Sequence, residues 1–350
     1  MASDSSSKLD YDGPRVSVIA DEAVTVMIDI LRGLDCDDDT ASCIADHLAD
    51  ASLCGVESHG VMRILQYARQ FRNGYMRPVA NPFVAHRDGA FLTLDGDGGH
   101  GIPAMGIAFE STIEAALDTG MAVTSIVNLG HTGRHGAFAE LAAEAGMMSV
   151  LIGGGNRAVW RQVAPYGGAA AKLPTNPWCV GLPGGENGPF VMDMATSMVA
   201  GGWIYAAENA GAALPAGCLI DSNGNPTTDP QAYFDGGAIL PAAGQKGYAL
   251  ALAAELIAEA LIGPVATEGN WLLVMIDTTR MTSGHTLQSR AEEVLADIRS
   301  CPPAPGFDRV EIPGERERRH REISGGIITI PEPTWTDILA LRDQIMASGA

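Results

Sequence analysis

The sequence predicts an α/β protein. From about residue 103 onward, short apolar runs of strand length alternate with stretches whose apolar residues recur at helical spacing. Before that, three helical stripes stop at a Pro-rich change of composition over residues 76–82, a candidate domain boundary. With 350 residues, 46 % of them apolar, the chain can bury a large core without staples, and two domains or one elaborate one are expected.

Over residues 19–34, Ala23, Val24, Met27, Ile28 and Leu31 recur at helical spacing, and Gly33 supplies a stop. A second helix begins at the acidic Asp38, Asp39 and Thr40 and carries Ile44, Leu48, Ala51 and Leu53 inward. The third is expected over 60–73, with Val61, Ile64, Leu65 and Ala68 inward. Alternating runs at 83–87 and 91–95, split by Asp88-Gly89, read as a hairpin. Then come a helix at 103–117, a strand at 121–127, a helix at 136–145 and a strand at 148–152. Further strands are expected at 178–182, 190–192 and 271–277, and helices at 197–209, 248–261, 286–299 and 335–346. Residues 215–237, rich in Asn, Asp, Gly and Pro, read as a long loop, and the charged run 315–322 as a solvated helix.

Composition excludes several classes of function. A formal charge of −20 repels nucleic acid and anionic membrane surfaces. Residues 1–14 are polar, with one lysine and no apolar run, so they read as a disordered leader that is neither signal peptide nor anchor. No stretch approaches the ~18 apolar residues of a membrane span, and a cytoplasmic protein is expected. The six cysteines show no metal-ligand spacing and are expected to be reduced.

Chemistry concentrates in a few places. In Ser58-His59-Gly60-Val61-Met62-Arg63, a continuous helix from Gly60 would put His59 and Arg63 one turn apart. An imidazole passes a proton near neutral pH, and a guanidinium holds a carboxylate by two parallel bonds. Taken alone, a capping histidine and a solvated arginine satisfy the same spacing. His131 and His135 follow a strand, where α/β folds keep ligand sites. Gly153-Gly154-Gly155-Asn156 follows another and reads as a loop whose amides can approach a ring or phosphate, or as plain flexible chain. Asp193, bracketed by Met192 and Met194, either partners a histidine or caps the next helix. Lys246 precedes a long helix and faces either a phosphate or solvent. Gly96-Asp97-Gly98-Gly99-His100-Gly101 satisfies a dinucleotide fingerprint. The following strand, however, ends in Asn128 rather than an acidic residue, and the preceding strand pairs as a hairpin, so the stretch reads as a turn.

Together, Ser58-His59-Gly60-Val61-x-Arg63, Asn128-x-x-His131-x-Gly133, Leu173-Pro174-Thr175-Asn176-Pro177, Phe190-Val191-x-Asp193-Met194-Ala195-Thr196-Ser197, Leu240-Pro241, Lys246-Gly247-Tyr248 and Pro313-Gly314-Glu315 resemble the malate/L-lactate dehydrogenase family, which is unrelated to the Rossmann dehydrogenases. The similarity runs in order over about 21–335. It implies a homodimer with a non-Rossmann nicotinamide fold. A helical part, 15–78 completed by parts of 310–350, would pack on an α/β part, 79–309, with a mixed sheet.

The resemblance also implies roles. His59 would be the proton donor with Ser58 beside it, or His131 would take that role, and Asp193 would orient or charge the histidine. Arg63 would face the substrate carboxylate, with Thr175 and Asn176 nearby. Gly155, Asn156, the strand Pro189, Phe190, Val191, Met192, Asp193, Met194 and Ala195, then Gln245, Lys246, Pro313, Gly314 and Glu315 would touch NAD or NADP. No metal is implied. Where many relatives carry Thr-Asn-Ser or Thr-Asn-Ala, this chain has Gly153 to Asn156 followed by Arg157 and Trp160, a loop expected to reshape the pocket. The reaction expected is hydride transfer to or from C2 of a small 2-oxo or 2-hydroxy acid. Alternatives are C=N reduction of a cyclic imino acid, an inactive ligand-binding homologue, and a metal-dependent hydrolase using His131, His135 and Asp193.

Overall fold

The computed structural model describes residues 13–348, so most of the expected leader lies outside the described residues. The chain runs β1 (Arg15–Ile19), α1 (Ala20–Arg32), α2 (Asp38–Leu53), α3 (Ile64–Arg72), β2 (Phe83–Asp88), β3 (Phe91–Asp95), α4 (Gly101–Thr119), β4 (Met121–Leu129), α5 (His135–Glu144), β5 (Met147–Gly155), β6 (Trp178–Gly185) and β7 (Gly188–Met194). It continues through α6 (Gly201–Ala210), β8 (Leu219–Ile220), β9 (Pro226–Thr227), α7 (Gln231–Phe234), β10 (Ala238–Ile239), α8 (Gln245–Glu255) with a π-helical extension (Leu256–Ile262), β11 (Gly269–Asp277), α9 (Gly284–Arg299), α10 (Glu315–Ser324), β12 (Ile327–Pro331) and α11 (Glu332–Ser348).

The expected α/β architecture with a mixed sheet is present. Seven strands lie in the order β2-β3-β4-β11-β5-β6-β7, with β3 and β4 parallel and the other pairs antiparallel. Register places the ends of several strands at one edge: Gly269 opposes both Leu129 and Gly155, Ile152 opposes Trp178, and Trp178 opposes Met194. The ends of β4, β5 and β7 and the start of β11 therefore share a rim. That rim is one side of the site.

The other side comes from the N-terminal helices. In α2, Ala41, Ile44, Ala45, Leu48 and Ala49 are buried at helical spacing, and Asp37 caps the helix by accepting the Thr40 amide at 2.7 Å. Each fully buried Ile or Leu contributes about 1.5–3 kcal/mol relative to exposure. The same core joins α1, α2, α3 and α4 to the inner strands. An antiparallel ribbon of β1 and β12, burying Val18, Ile328 and Ile330, ties the N-terminal helices to the C-terminal segment.

Five sequence expectations need correction. Residues 60–73 are not one helix: two 3-10 turns, Glu57–His59 and Val61–Arg63, flank an extended Gly60 before α3 begins. Gly60 is wedged against the Ser52 side chain, which leaves no room for a Cβ, and the Ser52 hydroxyl accepts the Val61 amide at 3.0 Å. The chain is thus pinned to α2 before it can wind. Gly153, Gly154 and Gly155 are the end of β5, paired with Trp271, Asn270 and Gly269, and not a loop. Residues 215–237 are not a loop: they supply β8, β9 and α7, which with β10 (Ala238–Ile239) form a three-stranded sheet, β10-β8-β9, and a separate apolar core containing Val163, Trp203, Leu219 and Ile239.

The other two corrections concern pairing. β3 is antiparallel to β2 but parallel to β4, so strand direction does not separate β3-α4-β4 from a Rossmann unit. Packing does. A Cβ at Gly96 would meet Asn128 O, and one at Gly101 would meet His131 O, so this loop lies flat on the 128–131 segment. Finally, α10 is not a solvated helix. Arg321 reaches Asp50 at 2.9 Å and Glu140 at 3.3 Å, and Arg318 stands 3.8 Å from Glu140.

Candidate active site

Between the sheet rim and the N-terminal helices lies a cleft of about 1300 Å³. Pockets for small ligands span ~300–1,000 Å³, so this one has room for more than a small acid. The 57–63 turns close it from above. Glu57 is held by Arg15 of β1 at 2.5 Å, which anchors the first turn to the ribbon.

His59 and His131 stack across the cleft with ring centroids 5.5 Å apart and planes inclined by 28°. Ser58 Oγ lies 3.0 Å from His59 Nδ1. His131 Nδ1 accepts the Gly133 amide at 3.2 Å, and the Tyr67 hydroxyl stands 2.7 Å from the same atom. A backbone amide can only donate, so Nδ1 is unprotonated and neutral His131 carries its proton on Nε2. Burial lowers the pKa of His131 well below the ordinary imidazole value, and Arg63 and His59 push the same way. His59 is lowered by burial and then by Arg63, while Asp193 acts in the opposite direction.

Arg63 points its Nε at Ser58 O and its Nη1 at Gln66 Oε1. Its Nη2 lies 2.7 Å from where a Gly202 Cβ would stand, which puts the guanidinium under the first turn of α6. A helix N-terminus and a guanidinium facing one space both favour an anion. His59 and Arg63 therefore meet through the fold and not through helical spacing.

Asp193, at the end of β7, accepts the Gly136 amide at 2.7 Å and lies 3.7 Å from His135 Nδ1, with a quarter of its side chain exposed. Burial raises its carboxyl, but the hydrogen bond and charge of His135, the Gly136 amide and His59 outweigh that and hold it below the usual carboxylate range. Its direct partner is His135, whose Nε2 is 2.7 Å from Thr132 Oγ1 and whose ring meets Trp271 edge-on. Behind it, Arg134 pairs with Asp50 at 2.9 Å and Glu140 at 3.3 Å, and its amide donates to His47 Nε2 at 2.8 Å. These bonds fix the 130–134 segment.

Ser58, His59, Arg63, His131, Thr175, Gly155, Val191, Met192, Asp193, Met194, Ala195, Pro313 and Gly314 all line this cleft. Asn176 also lines it, but its amide nitrogen turns into the wall to Glu255 at 2.6 Å. Asn156 spends its amide on Thr267 O and Ala158 N, and Glu315 is engaged by Arg299 at 2.6 Å. Neither lines the cleft, nor do Pro189, Phe190, Gln245 and Lys246; the last two are exposed at the start of α8. Sequence reasoning missed Tyr67, Trp271, Tyr75 and Glu268. Tyr67 had a signal, four residues beyond Arg63 on the α3 stripe; Glu268 had none. All six cysteines are free, and among the described residues no three His, Cys, Asp or Glu side chains are arranged to hold a metal. No helix among those residues is long and apolar enough to cross a membrane.

A cleft with paired histidines, an arginine at a helix N-terminus and a carboxylate at a strand end, on a mixed sheet whose dinucleotide-like turn lies flat on the 128–131 segment, defines a non-Rossmann oxidoreductase. Residues 18–339 match the malate/L-lactate dehydrogenase family model, and the chain belongs to that family. It is 33 % identical to L-lactate dehydrogenase of Cupriavidus necator over 91 % of this chain and 94 % of that one. It is 32 % identical to the Delta(1)-pyrroline-2-carboxylate/Delta(1)-piperideine-2-carboxylate reductase of Pseudomonas putida, over 83 % and 86 %. The solved malate dehydrogenase of Pyrococcus horikoshii superposes with a TM-score of 0.85 at 26 % identity, covering 96 % and 97 % of the two chains.

Proposed function

We propose that the protein is an NAD- or NADP-dependent oxidoreductase that moves a hydride between nicotinamide and C2 of a small 2-oxo or 2-hydroxy acid. The observation that carries this reading is the stacked His59–His131 pair facing the same cleft as Arg63.

The cofactor fits the residues present. The cleft exceeds what a small acid fills, and one wall is β7, the edge strand of the sheet, with Val191 to Ala195 along it. Among the described residues no strand pairs with the outer edge of β7, whose Val191 amide meets Pro313 O at 3.2 Å, and Met192, Asp193 and Met194 of that strand face the cleft. Val191 to Ala195, Pro313 and Gly314 would hold the cofactor, which when bound supplies or accepts the hydride.

The chain supplies the rest. Arg63 and the α6 N-terminus hold the substrate carboxylate, which orients C2. His131, with its proton on Nε2, donates a hydrogen bond to the oxygen on C2 and stabilises the charge that develops there. His59 delivers the proton to that oxygen in reduction and takes it back in oxidation, supported as a cation by Asp193. Burial keeps both rings neutral in the empty cleft, so His59 is charged only while an anion balances it. Reduction of a cyclic imine uses the same groups, with the proton going to nitrogen.

The test is consumption of reduced nicotinamide with each cofactor across 2-oxo acids and cyclic imino acids. His59→Ala is expected to lower kcat by ~10² or more. Turnover near wild type would hand the proton to His131, and no turnover with any acid would defeat the reading.

A further inference from the structure

Two buried acceptors on the cleft wall have no donor. Gln70 is 8 % exposed and its Oε1 is unpartnered, as is Oε2 of Glu268; both residues line the cleft. Glu268 is held in place by its backbone. Its carbonyl accepts the Asn156 amide at 2.9 Å, and the neighbouring Thr267 hydroxyl donates to Leu129 O at 2.8 Å, which sets the residue beside the start of the His131 segment. The loop that departs from the family pattern braces it from the other side. Trp160 Nε1 donates to the Tyr75 hydroxyl at 2.9 Å, and the interaction of Tyr75 with the Glu268 carboxyl ties the loop to that residue. Asn156 closes the arrangement, its Nδ2 donating to Thr267 O at 3.0 Å and its carbonyl accepting the Trp160 amide at 2.7 Å.

A buried carboxyl oxygen with no donor is costly in the empty protein. Burial pushes Glu268 up to about 7, opposed by Arg63 and by the Tyr75 bond. Arg63, Gln70 and Glu268 line one cleft, so a substrate whose carboxylate is held at Arg63 shares its space with this wall. A hydroxyl or ammonium group would satisfy the free oxygens of Glu268 and Gln70. A second carboxylate would meet a like charge whenever Glu268 is ionised.

We propose that Glu268 selects the substrate of the site assigned above: its free oxygen accepts a hydrogen bond from a hydroxyl or ammonium on the substrate side chain, and it disfavours dicarboxylates. This rests on the hydroxy-acid reading and narrows it to acids carrying a donor beyond C2. No proton or electron is transferred at Glu268.

The experiment compares 2-hydroxybutanoate, 2,4-dihydroxybutanoate, 4-amino-2-hydroxybutanoate and malate with wild type, Glu268→Gln and Glu268→Leu. It reads kcat/KM and, separately, calorimetric Kd. Wild type should prefer the two substituted acids over 2-hydroxybutanoate by ~10–100-fold. Glu268→Leu should erase both preferences. Glu268→Gln keeps an acceptor without the charge, so it should erase the preference for the ammonium and retain that for the hydroxyl, and should raise kcat/KM for malate. Equal ratios in wild type and Glu268→Leu, with 2-hydroxybutanoate still turned over, would overturn the inference and leave the hydride-transfer reading standing. A calorimetric preference lost in Glu268→Leu, with no turnover of any acid, would support the inference and defeat that reading.

Discussion

Asp193→Asn probes the electrostatics of the site with little change of shape. Asparagine keeps an oxygen for the Gly136 amide at 2.7 Å, so the end of β7 stays attached to the start of α5. The negative charge is what disappears. Asp193 is the carboxylate that raises His59 against burial and Arg63. At an effective dielectric of about 20, opposite unit charges attract by ~4 kcal/mol at ~4 Å and proportionally less at longer range. With a quarter of the Asp193 side chain open to the cleft, solvent screening reduces this to about 1–2 kcal/mol. Support for the His59 cation falls by that amount, which corresponds to a ~5–30-fold drop in kcat/KM for reduction. The assay is steady-state oxidation of reduced nicotinamide across pH 5–9. Reduction needs protonated His59 in the loaded site, and the variant lowers its proton affinity there, so the limb on which kcat falls with rising pH should move to lower pH. A folded Asp193→Asn protein with kcat/KM within twofold of wild type and an unmoved limb would refute the role given to Asp193.

Two further outcomes follow from the buried groups. Burial lowers His47 to about 4 and His100 to about 3, both below the ~6.5 of an unfolded imidazole. The unfolded chain therefore binds more protons below pH 6.5, and stability falls with pH from there to about 3–4. By pH 4.5 these two cost ~5 kcal/mol, of which Glu268, raised to about 7, returns about 3 as it protonates; His59 and His131, lowered mainly by burial, add to the loss. Urea unfolding at pH 7 and 4.5 checks this, and equal stabilities would contradict it. Gly153→Ala would drive a Cβ into the Trp271 ring, which rests on His135 with centroids 4.6 Å apart. It should cost ~1–3 kcal/mol in thermal unfolding and alter the indole fluorescence, and an unchanged Tm would show that the ring yields freely.

Much of the fold was legible because it is written at short range. The apolar stripe of α2 and the positions of β4 and β11 follow from spacing, although each of these strands runs two residues further at the rim than expected. What misled was also local in form but decided at a distance. Residues 60–63 carry a helical pattern, yet the Ser52 side chain presses on Gly60 and breaks it into two turns. The run 315–322 looks solvated because its charges are visible in sequence, whereas the carboxylates that Arg318 and Arg321 meet are on α2 and α5. β8, β9 and β10 have two residues each, too few to show a period.

The sequence by itself determined the α/β class and singled out His59, Arg63, His131 and Asp193 as candidate groups, whereas the packing of Gly96 and Gly101 on the 128–131 segment was needed to set the dinucleotide-like turn aside. Residue types and strand ends are local properties, and a local reading reaches them. Only the tertiary structure decided that His59 stacks on His131, that Tyr67 and the Gly133 amide leave the His131 proton on Nε2, that His135 is the direct partner of Asp193, and that Glu268 faces the cleft. Each of these joins segments far apart in the chain. Burial then decides their charge, because desolvation acts on a side chain only once the whole fold has closed around it.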